Sequence, residues 1–330
     1  EIGQTAIAAG WKSYIAYGRN DRPSQSELIK IGNGRDIKMH GIQTRLFDRH
    51  GLGSKSATKE LIGKIKEISP DIIHLHNIHG YYINIEILFN YLQNSNIPVV
   101  WTFHDCWPIT GHCAHFTFVG CEKWKTHCNN CPQQKNYPSS WFVDRSEKNF
   151  QLKKELFTSL PNLTLVPVSN WLSGILKDSY LQRYPIKVIN NGINTEFFNP
   201  FSDNDFRIKY RLDNKFILLG VATSWGSKKG LYDFIELGKL LKTDFQIVLV
   251  GLTKKQIEKL PDNILGIERT ESVKELAEIY SASDVFVNPT YEDSFPTTNI
   301  ESLACGTPVI TYKTGGSPEA IDELTGIVVE

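Results

Sequence analysis

Short apolar runs alternate with helical patterns along this whole 330-residue chain. That alternation restricts the fold more than any other feature. Strands separated by helices pair in parallel, and a parallel sheet must be covered on both faces. In the first half, strands are expected at 11–17, 71–76, 99–103, 163–168 and 186–189, and helices at 1–9, 55–68, 83–92, 147–156 and 170–177. In the second half, strands are expected at 216–222, 245–250, 264–267, 285–287, 308–311 and 326–329, and helices at 230–241, 273–281 and 297–303. Between the halves lies Asn190-Asn-Gly-Ile-Asn-Thr-Glu-Phe-Phe-Asn-Pro200, rich in turn formers. The expected class is therefore α/β, with doubly wound parallel-sheet domains at 1–192 and 193–330.

Composition closes off several functions. With 36 basic and 36 acidic residues there is no global basic field to favour nucleic acid or an anionic membrane surface. No run approaches the ~20 apolar residues of a membrane span, and nothing at the start reads as a signal peptide. A cytoplasmic location with at most peripheral membrane contact is expected. The one methionine is Met39, and a helix at 1–9 has neither a strand nor a Gly-rich turn before it. The chain also stops on an apolar strand, so both ends read as truncated.

The stretch Asp284-Val-Phe-Val-Asn-Pro-Thr-Tyr-Glu-Asp-Ser-Phe-Pro-Thr-Thr-Asn-Ile-Glu-Ser-Leu-Ala-Cys-Gly-Thr-Pro-Val-Ile310 reads as strand, polar turn, short helix and strand. Pro296 suits the first helical position. The amides of Thr297 and Thr298 then point beyond the helix N-terminus, where unpaired N–H groups and the dipole favour an anion. Asp293 stands before this helix and Glu301 within it, seven residues between them. Two acids flanking an anion site are wrong for phosphate alone, but they suit a diphosphate carrying hydroxyl-rich groups on both sides. That ligand is a nucleotide sugar.

The segment resembles the donor-site signature of family 4 retaining glycosyltransferases, in which two acids separated by seven residues precede an Ala-Cys-Gly-x-Pro turn. The family's first acid is usually a Glu followed by Gly-Phe-Gly; here Asp293 is followed by Ser-Phe-Pro, and Glu292 is one step out of register. The loop Val221-Ala-Thr-Ser-Trp-Gly-Ser-Lys-Lys-Gly-Leu231 is similar to the family's loop that holds the donor diphosphate. Lys229 matches its Lys, and Lys228 stands in for an upstream Arg that is missing. Gly315-Gly316 resembles the second Gly turn near the sugar. The resemblance implies a GT-B fold of two Rossmann-like domains facing a cleft, with retention of anomeric configuration. It also implies Glu301 on the ribose, Asp293 on the transferred sugar, and cations and amides in place of a catalytic metal. Asp203-Asn204-Asp205 matches the Asp-x-Asp of another glycosyltransferase architecture but opens a helical pattern, so we read it as a cap.

The first half carries the acceptor side. Pro70-Asp-Ile-Ile-His-Leu-His-Asn-Ile-His-Gly-Tyr-Tyr82 is a strand ending in a His-rich loop. His74 and His76 share a face of the strand, and a zinc site there is one reading. The ends of parallel strands open towards ligands, which makes Asn77 and His79 cleft residues, against the alternative that they brace loops. Trp101-Thr-Phe-His-Asp-Cys-Trp-Pro108 delivers His104 and Asp105, and His104 resembles the family's His at the sugar-binding edge. Ser169-Asn170-Trp171 looks like the family's Ser-x-Trp turn at the cleft rim.

Within 106–138, a stretch of little periodicity, Cys113, Cys121, Cys128 and Cys131 are spaced as a Cys₄ structural zinc site. An iron–sulfur cluster and free thiols remain open. No other core for that loop is evident. The segment resembles the insertion of a colanic-acid-type subgroup of these transferases. Cys106 and Cys305 read as buried thiols.

The expected function is transfer of a sugar from a nucleotide-sugar donor to a glycan or lipid-linked acceptor in cell-surface polysaccharide synthesis. An epimerase or hydrolase on the same fold and a non-catalytic nucleotide-sugar binder are the alternatives. A Cys/His/aromatic nucleic-acid module is disfavoured by the balanced charge.

Overall fold

The computed structural model describes residues 2–202 and 205–330. Asp203 and Asn204, from the Asp-x-Asp match, lie outside the described residues. The chain divides into two compact units. The first runs to Pro167 and takes in Ser173–Val188; the second comprises Val168–Leu172 and Ile189–Glu330.

The first unit follows the order α1 (Ile2–Ala8), β1 (Tyr14–Tyr17), β2 (Glu27–Lys30), α2 (Gly34–Phe47), α3 (Lys55–Ile68), β3 (Ile73–Leu75), α4 (Ile85–Ser95), β4 (Val99–Phe103), α5 (Ser146–Phe157) and β5 (Leu163–Pro167), after which α6 (Asn170–Lys177) begins. β1 and β2 pair in parallel, and β3-β4-β5 form a separate parallel sheet. Its core is aromatic: Phe89, Trp101 and Phe157 meet pairwise with ring centroids 4.6 to 5.5 Å apart. Burying each such side chain contributes roughly 1.5–3 kcal/mol.

Three elements of this unit depart from expectation. The run at 186–189 is no strand; Ile186 makes a single bridge to Leu165. Conversely, β2 and α2 were not expected. The inward residues of α2 are His40, Gly41 and Thr44, while Met39, Ile42 and Phe47 are exposed, so its apolar residues do not mark its buried face. The helix is set instead by a capping box: the Asn33 side chain accepts from Arg35 and Asp36 amides, and Asp36 accepts from the Asn33 amide.

The second unit continues with α7 (Asp205–Tyr210), β6 (Phe216–Val221), α8 (Leu231–Leu240), β7 (Phe245–Val250), α9 (Lys254–Ile257), β8 (Ile264–Ile267), α10 (Val273–Ser281), β9 (Val285–Asn288), α11 (Thr297–Ala304), β10 (Val309–Tyr312) and β11 (Gly326–Val329). Its six strands are all parallel, in the order β11-β10-β9-β6-β7-β8. Period-two alternation sends side chains to two cores. Ile217, Leu219, Val248, Val250 and Phe286 pack with Ala277 and Tyr280 of α10. Leu218, Ile247, Leu249 and Val285 pack with Leu231 and Phe234 of α8. Strand order reverses between β6 and β9, so the loops leaving those two strands flank a topological switch point, where open α/β sheets bind ligands. Among the described residues no helix is long and apolar enough to cross a membrane.

Candidate active site

The loop after β6 and the loop after β9 are zipped together. Gly226 leads into a 3₁₀ turn, Ser227–Lys229, which closes on Gly230 at φ 71°. A Cβ on Gly230 would sit 2.5 Å from Pro289, so only glycine lets the two loops approach this closely. Across the seam, Lys228 Nζ lies 2.5 Å from Glu292 Oε2, and Lys229 Nζ lies 2.8 Å from Asp293 Oδ2. The Tyr291 amide donates to the Lys228 carbonyl. The two adjacent acids are not equivalent: the Glu292 side chain is 3% exposed and that of Asp293 23%. Asp293 is therefore the one a ligand can reach, and Glu292 is spent on holding Lys228.

Pro296 occupies the N-cap of α11 rather than its first turn, because its ψ of 117° is extended. Thr297 and Thr298 open the helix, whose first N–H groups have no intrahelical acceptor. One turn in, the Glu301 carboxylate accepts from the buried Tyr280 hydroxyl at 3.1 Å and from the Thr297 side chain. Burial pushes the Glu301 carboxyl up, against those two hydrogen bonds. Gly315 and Gly316 lie against the backbone of the Asp293 loop. A Cβ on Gly315 would fall 1.8 Å from the Asp293 carbonyl oxygen, and one on Gly316 2.0 Å from that of Ser294. Asn299 ties the assembly from beneath, accepting from Asn288 and donating to the Ser317 carbonyl. The hydroxyls of Ser294 and Ser317 are buried and have no hydrogen-bond partner among the described residues.

Glu319, on the turn after Gly316, completes this side. Its carboxylate accepts from the Asn170 amide at 2.7 Å, the Asn170 side chain at 3.0 Å and the Trp171 amide at 2.7 Å. It thereby caps α6, so Asn170 is held by a protein carboxylate. Tyr280, Asn299, Glu319 and the pairing of Glu292 with Lys228 were not expected from the sequence, and no local pattern marks them; the partners lie 11 to 149 residues apart. Chemically, this arrangement presents two cations and a helix N-terminus to an anion, with two carboxylates, Asp293 and Glu301, available to hydroxyl groups.

In the first unit β3 and β4 bring three histidines together. His76 Nδ1 is 3.1 Å from His104 Nε2 with the rings stacked, and His74 Nε2 is 2.7 Å from Thr102 Oγ1. Desolvation lowers the basicity of all three, His76 to about 4 with further repulsion from His74 and His104. His79 is buried: its Nε2 lies 2.8 Å from Asp105 Oδ2, and its Nδ1 lies 3.2 Å from the Tyr137 hydroxyl. Burial pushes the Asp105 carboxyl up, but the charge and hydrogen bond of His79 outweigh it and hold Asp105 below the carboxylate range. Asn77 is exposed, and its carbonyl accepts from the Tyr82 hydroxyl.

The cysteine-rich segment has a core of its own, contrary to expectation. Phe116 and Trp124 stack at 5.0 Å and are buried, as are Trp107 and Ile109. Among the described residues no disulfide joins any of the six cysteines, and Cys106 and Cys305 are buried. Cys113, Cys121, Cys128 and Cys131 line one pocket. The Cys113 thiol is hydrogen-bonded to Cys131, which raises Cys113 and lowers Cys131 to about 6. Burial pushes Cys128 up to about 11. Among the described residues, no three His, Cys, Asp or Glu side chains stand where they could hold a metal ion. The thiols ring the pocket without converging.

Residues 1–197 match the family model of Glycosyltransferase Family 4, and residues 214–330 that of Glycosyl transferases group 1. The chain is 29% identical over 208 residues to a colanic acid biosynthesis glycosyl transferase, WcaC, of Escherichia coli, covering 58% of this chain and 50% of that protein. It is 24% identical over 281 residues to the sulfoquinovosyl transferase SQD2 of Arabidopsis thaliana, covering 82% and 48%. The chain thus spans about half the length of these curated relatives. Sucrose-phosphate synthase from Thermosynechococcus elongatus shares the fold with a TM-score of 0.72 at 19% identity, over 99% of this chain and 78% of that one. Anabaena Alr3699/HepE in complex with UDP and glucose does so with a TM-score of 0.64 at 13% identity, over 99% and 81%.

Proposed function

The chain belongs to glycosyltransferase family 4, and on that premise we propose that it is a retaining transferase of the GT-B type. It moves a sugar from a nucleotide-sugar donor to a glycan or lipid-linked acceptor of a cell-surface polysaccharide. One observation carries this reading: at the switch point of the second unit's sheet, the Lys229–Asp293 pair stands beside an open helix N-terminus, with Glu301 one turn into that helix. Lys228, Lys229 and the amides of Thr297 and Thr298 hold the diphosphate and stabilise its charge as the sugar–phosphate bond breaks, in place of a divalent metal. Glu301 binds the ribose hydroxyls. Asp293 and the Gly316 turn bind the transferred sugar, and His104 acts on that sugar. Asn77, His79, Asp105 and Asn170 belong to the acceptor side, with the His79–Asp105 pair fixing the loop that carries Asn77.

For the cysteine-rich segment we propose a structural zinc ion that draws its ligands from Cys113, Cys121, Cys128 and Cys131. Their shared pocket and the Cys113–Cys131 contact support this, as does the sulfur donor chemistry, which suits zinc. A cytoplasmic location with at most peripheral membrane contact accords with the lack of a spanning helix among the described residues.

The test is a panel of nucleotide sugars, with and without candidate glycan acceptors, read by mass detection of the released nucleoside diphosphate. Release that requires acceptor supports transfer. Equal release without acceptor assigns the chain to hydrolysis or epimerisation, and binding without release to a non-catalytic role.

A further inference from the structure

His112 was absent from the ligand set expected from sequence, yet its surroundings are those of a metal-bound imidazole. The side chain is fully buried, and its Nδ1 lies 2.6 Å from Asp48 Oδ1. Its Nε2 is buried and has no hydrogen-bond partner among the described residues. A buried ring nitrogen left unpaired costs free energy unless something fills it. The ring lines two pockets. One holds Asp48, Lys153 and Asn149; the other holds the four cysteines. With Nδ1 tied to Asp48, Nε2 is the ring nitrogen left for a metal. A carboxylate holding one ring nitrogen so that the other can bind metal is the usual outer shell of a zinc histidine.

The cysteines divide in a matching way. Cys113, Cys128 and Cys131 form the inner group: Cys113 is hydrogen-bonded to Cys131 and close to Cys128. The sulfurs of Cys128 and Cys131 accept from the amides of Gly111 and Gln133, the bonding a thiolate needs. Gly111 has no room for a side chain; a Cβ would fall 2.1 Å from the Ser146 carbonyl oxygen and 2.8 Å from Cys128 Cβ. The chain is thus pressed against Cys128 beside His112. Cys121 and Cys131 are both half-buried; Cys131 meets Cys113, whereas Cys121 neighbours Cys128. Asp48 is itself fixed, accepting from the Arg145 amide at 2.8 Å through Oδ2 and from Asn149 through its carbonyl.

We propose that the zinc ion is bound by Cys113, Cys128, Cys131 and His112, with Asp48 orienting His112 and Cys121 outside the ligand set. This rests on the zinc reading above and changes its fourth ligand. Zinc would draw the ringed donors to one centre and link α2, through Asp48 at its C-terminus, to the inserted segment.

The experiment is zinc analysis and zinc-edge X-ray absorption on the whole chain purified without chelator. One zinc per chain with three sulfurs at about 2.3 Å and one nitrogen at about 2.0 Å is expected. Cys121→Ser should keep its zinc and His112→Gln should lose it. Asp48→Asn should bind zinc about 10- to 100-fold more weakly in competition with a chromophoric chelator. A four-sulfur shell in the wild type, or zinc lost from Cys121→Ser and kept by His112→Gln, overturns His112 as ligand while the zinc reading stands. A wild type that neither carries zinc nor takes it up overturns both. The wild-type spectrum decides the matter even if a variant fails to fold.

Discussion

Glu301→Gln separates what the Glu301 carboxylate does for a ligand from what it does for the fold. A hydrogen bond to a charged acceptor contributes about 1.5–3 kcal/mol, and a neutral one about 0.5–1.5. Exchanging carboxylate for amide should thus weaken nucleoside diphosphate binding by roughly 1–1.5 kcal/mol per ribose hydroxyl, about five- to tenfold. Glu301→Ala removes the acceptor altogether and should cost about ten- to a hundredfold. It also strands the hydroxyl of Tyr280, a residue with 0% exposure that donates to Glu301. That adds about 1–3 kcal/mol of instability, several degrees in Tm.

Stability reports the same carboxyl with opposite sign. Burial raises its pKa in the fold, whereas in the unfolded chain it titrates near ~4.3. The folded state therefore keeps the proton to higher pH. The resulting stabilisation is complete below the unfolded value and is lost as pH rises through the folded one. At neutral pH the ionised carboxylate burdens the fold, so Glu301→Gln should be at least as stable as the wild type there, with the advantage gone in acid. Titration calorimetry with the nucleoside diphosphate, paired with thermal melts from pH 4 to 8, reads both effects. Unchanged affinity in Glu301→Gln would refute the ribose assignment, and a variant less stable than wild type at pH 7 would refute the burial argument.

Two further outcomes follow from the neighbouring loops. Asp293→Ala should lower nucleoside diphosphate affinity less than Glu301→Ala does, yet reduce transfer by about 100-fold or more; equal loss of both in a binding-and-turnover comparison would contradict the division of roles. Gly230→Ala should cost about 1–3 kcal/mol in denaturant unfolding, because the new Cβ meets Pro289 at 2.5 Å; a neutral variant would show that the two loops are not locked.

The second unit was largely legible because its strands alternate between two buried faces and the loops at its switch point carry short motifs. β7 at Phe245–Val250 and α10 at Val273–Ser281 fell where periodicity put them. The first unit was less legible for a physical reason. α2 turns His40, Gly41 and Thr44 inwards, and His40 accepts from the Gly51 amide, so polar bonding rather than apolar burial holds it. Its one local signal was the Asn33/Asp36 capping box, a variant with Asp in place of Glu or Gln. Of the residues expected at the cleft, Asn77 is exposed, whereas His79 and Asp105 pair in the interior. Spacing could not reveal that pairing, or Glu292 on Lys228, or Asp48 on His112, because each joins distant parts of the chain.

On the proposed function, a nucleoside diphosphate sits on the two loops at the switch point of the second unit. Hydrogen exchange with mass detection tests it most directly, using UDP, GDP and ADP in turn on the whole chain. The diphosphate that binds should protect amides at 226–231 and 293–301 above all others. Protection confined to other segments, or no protection by any of the three, would contradict it.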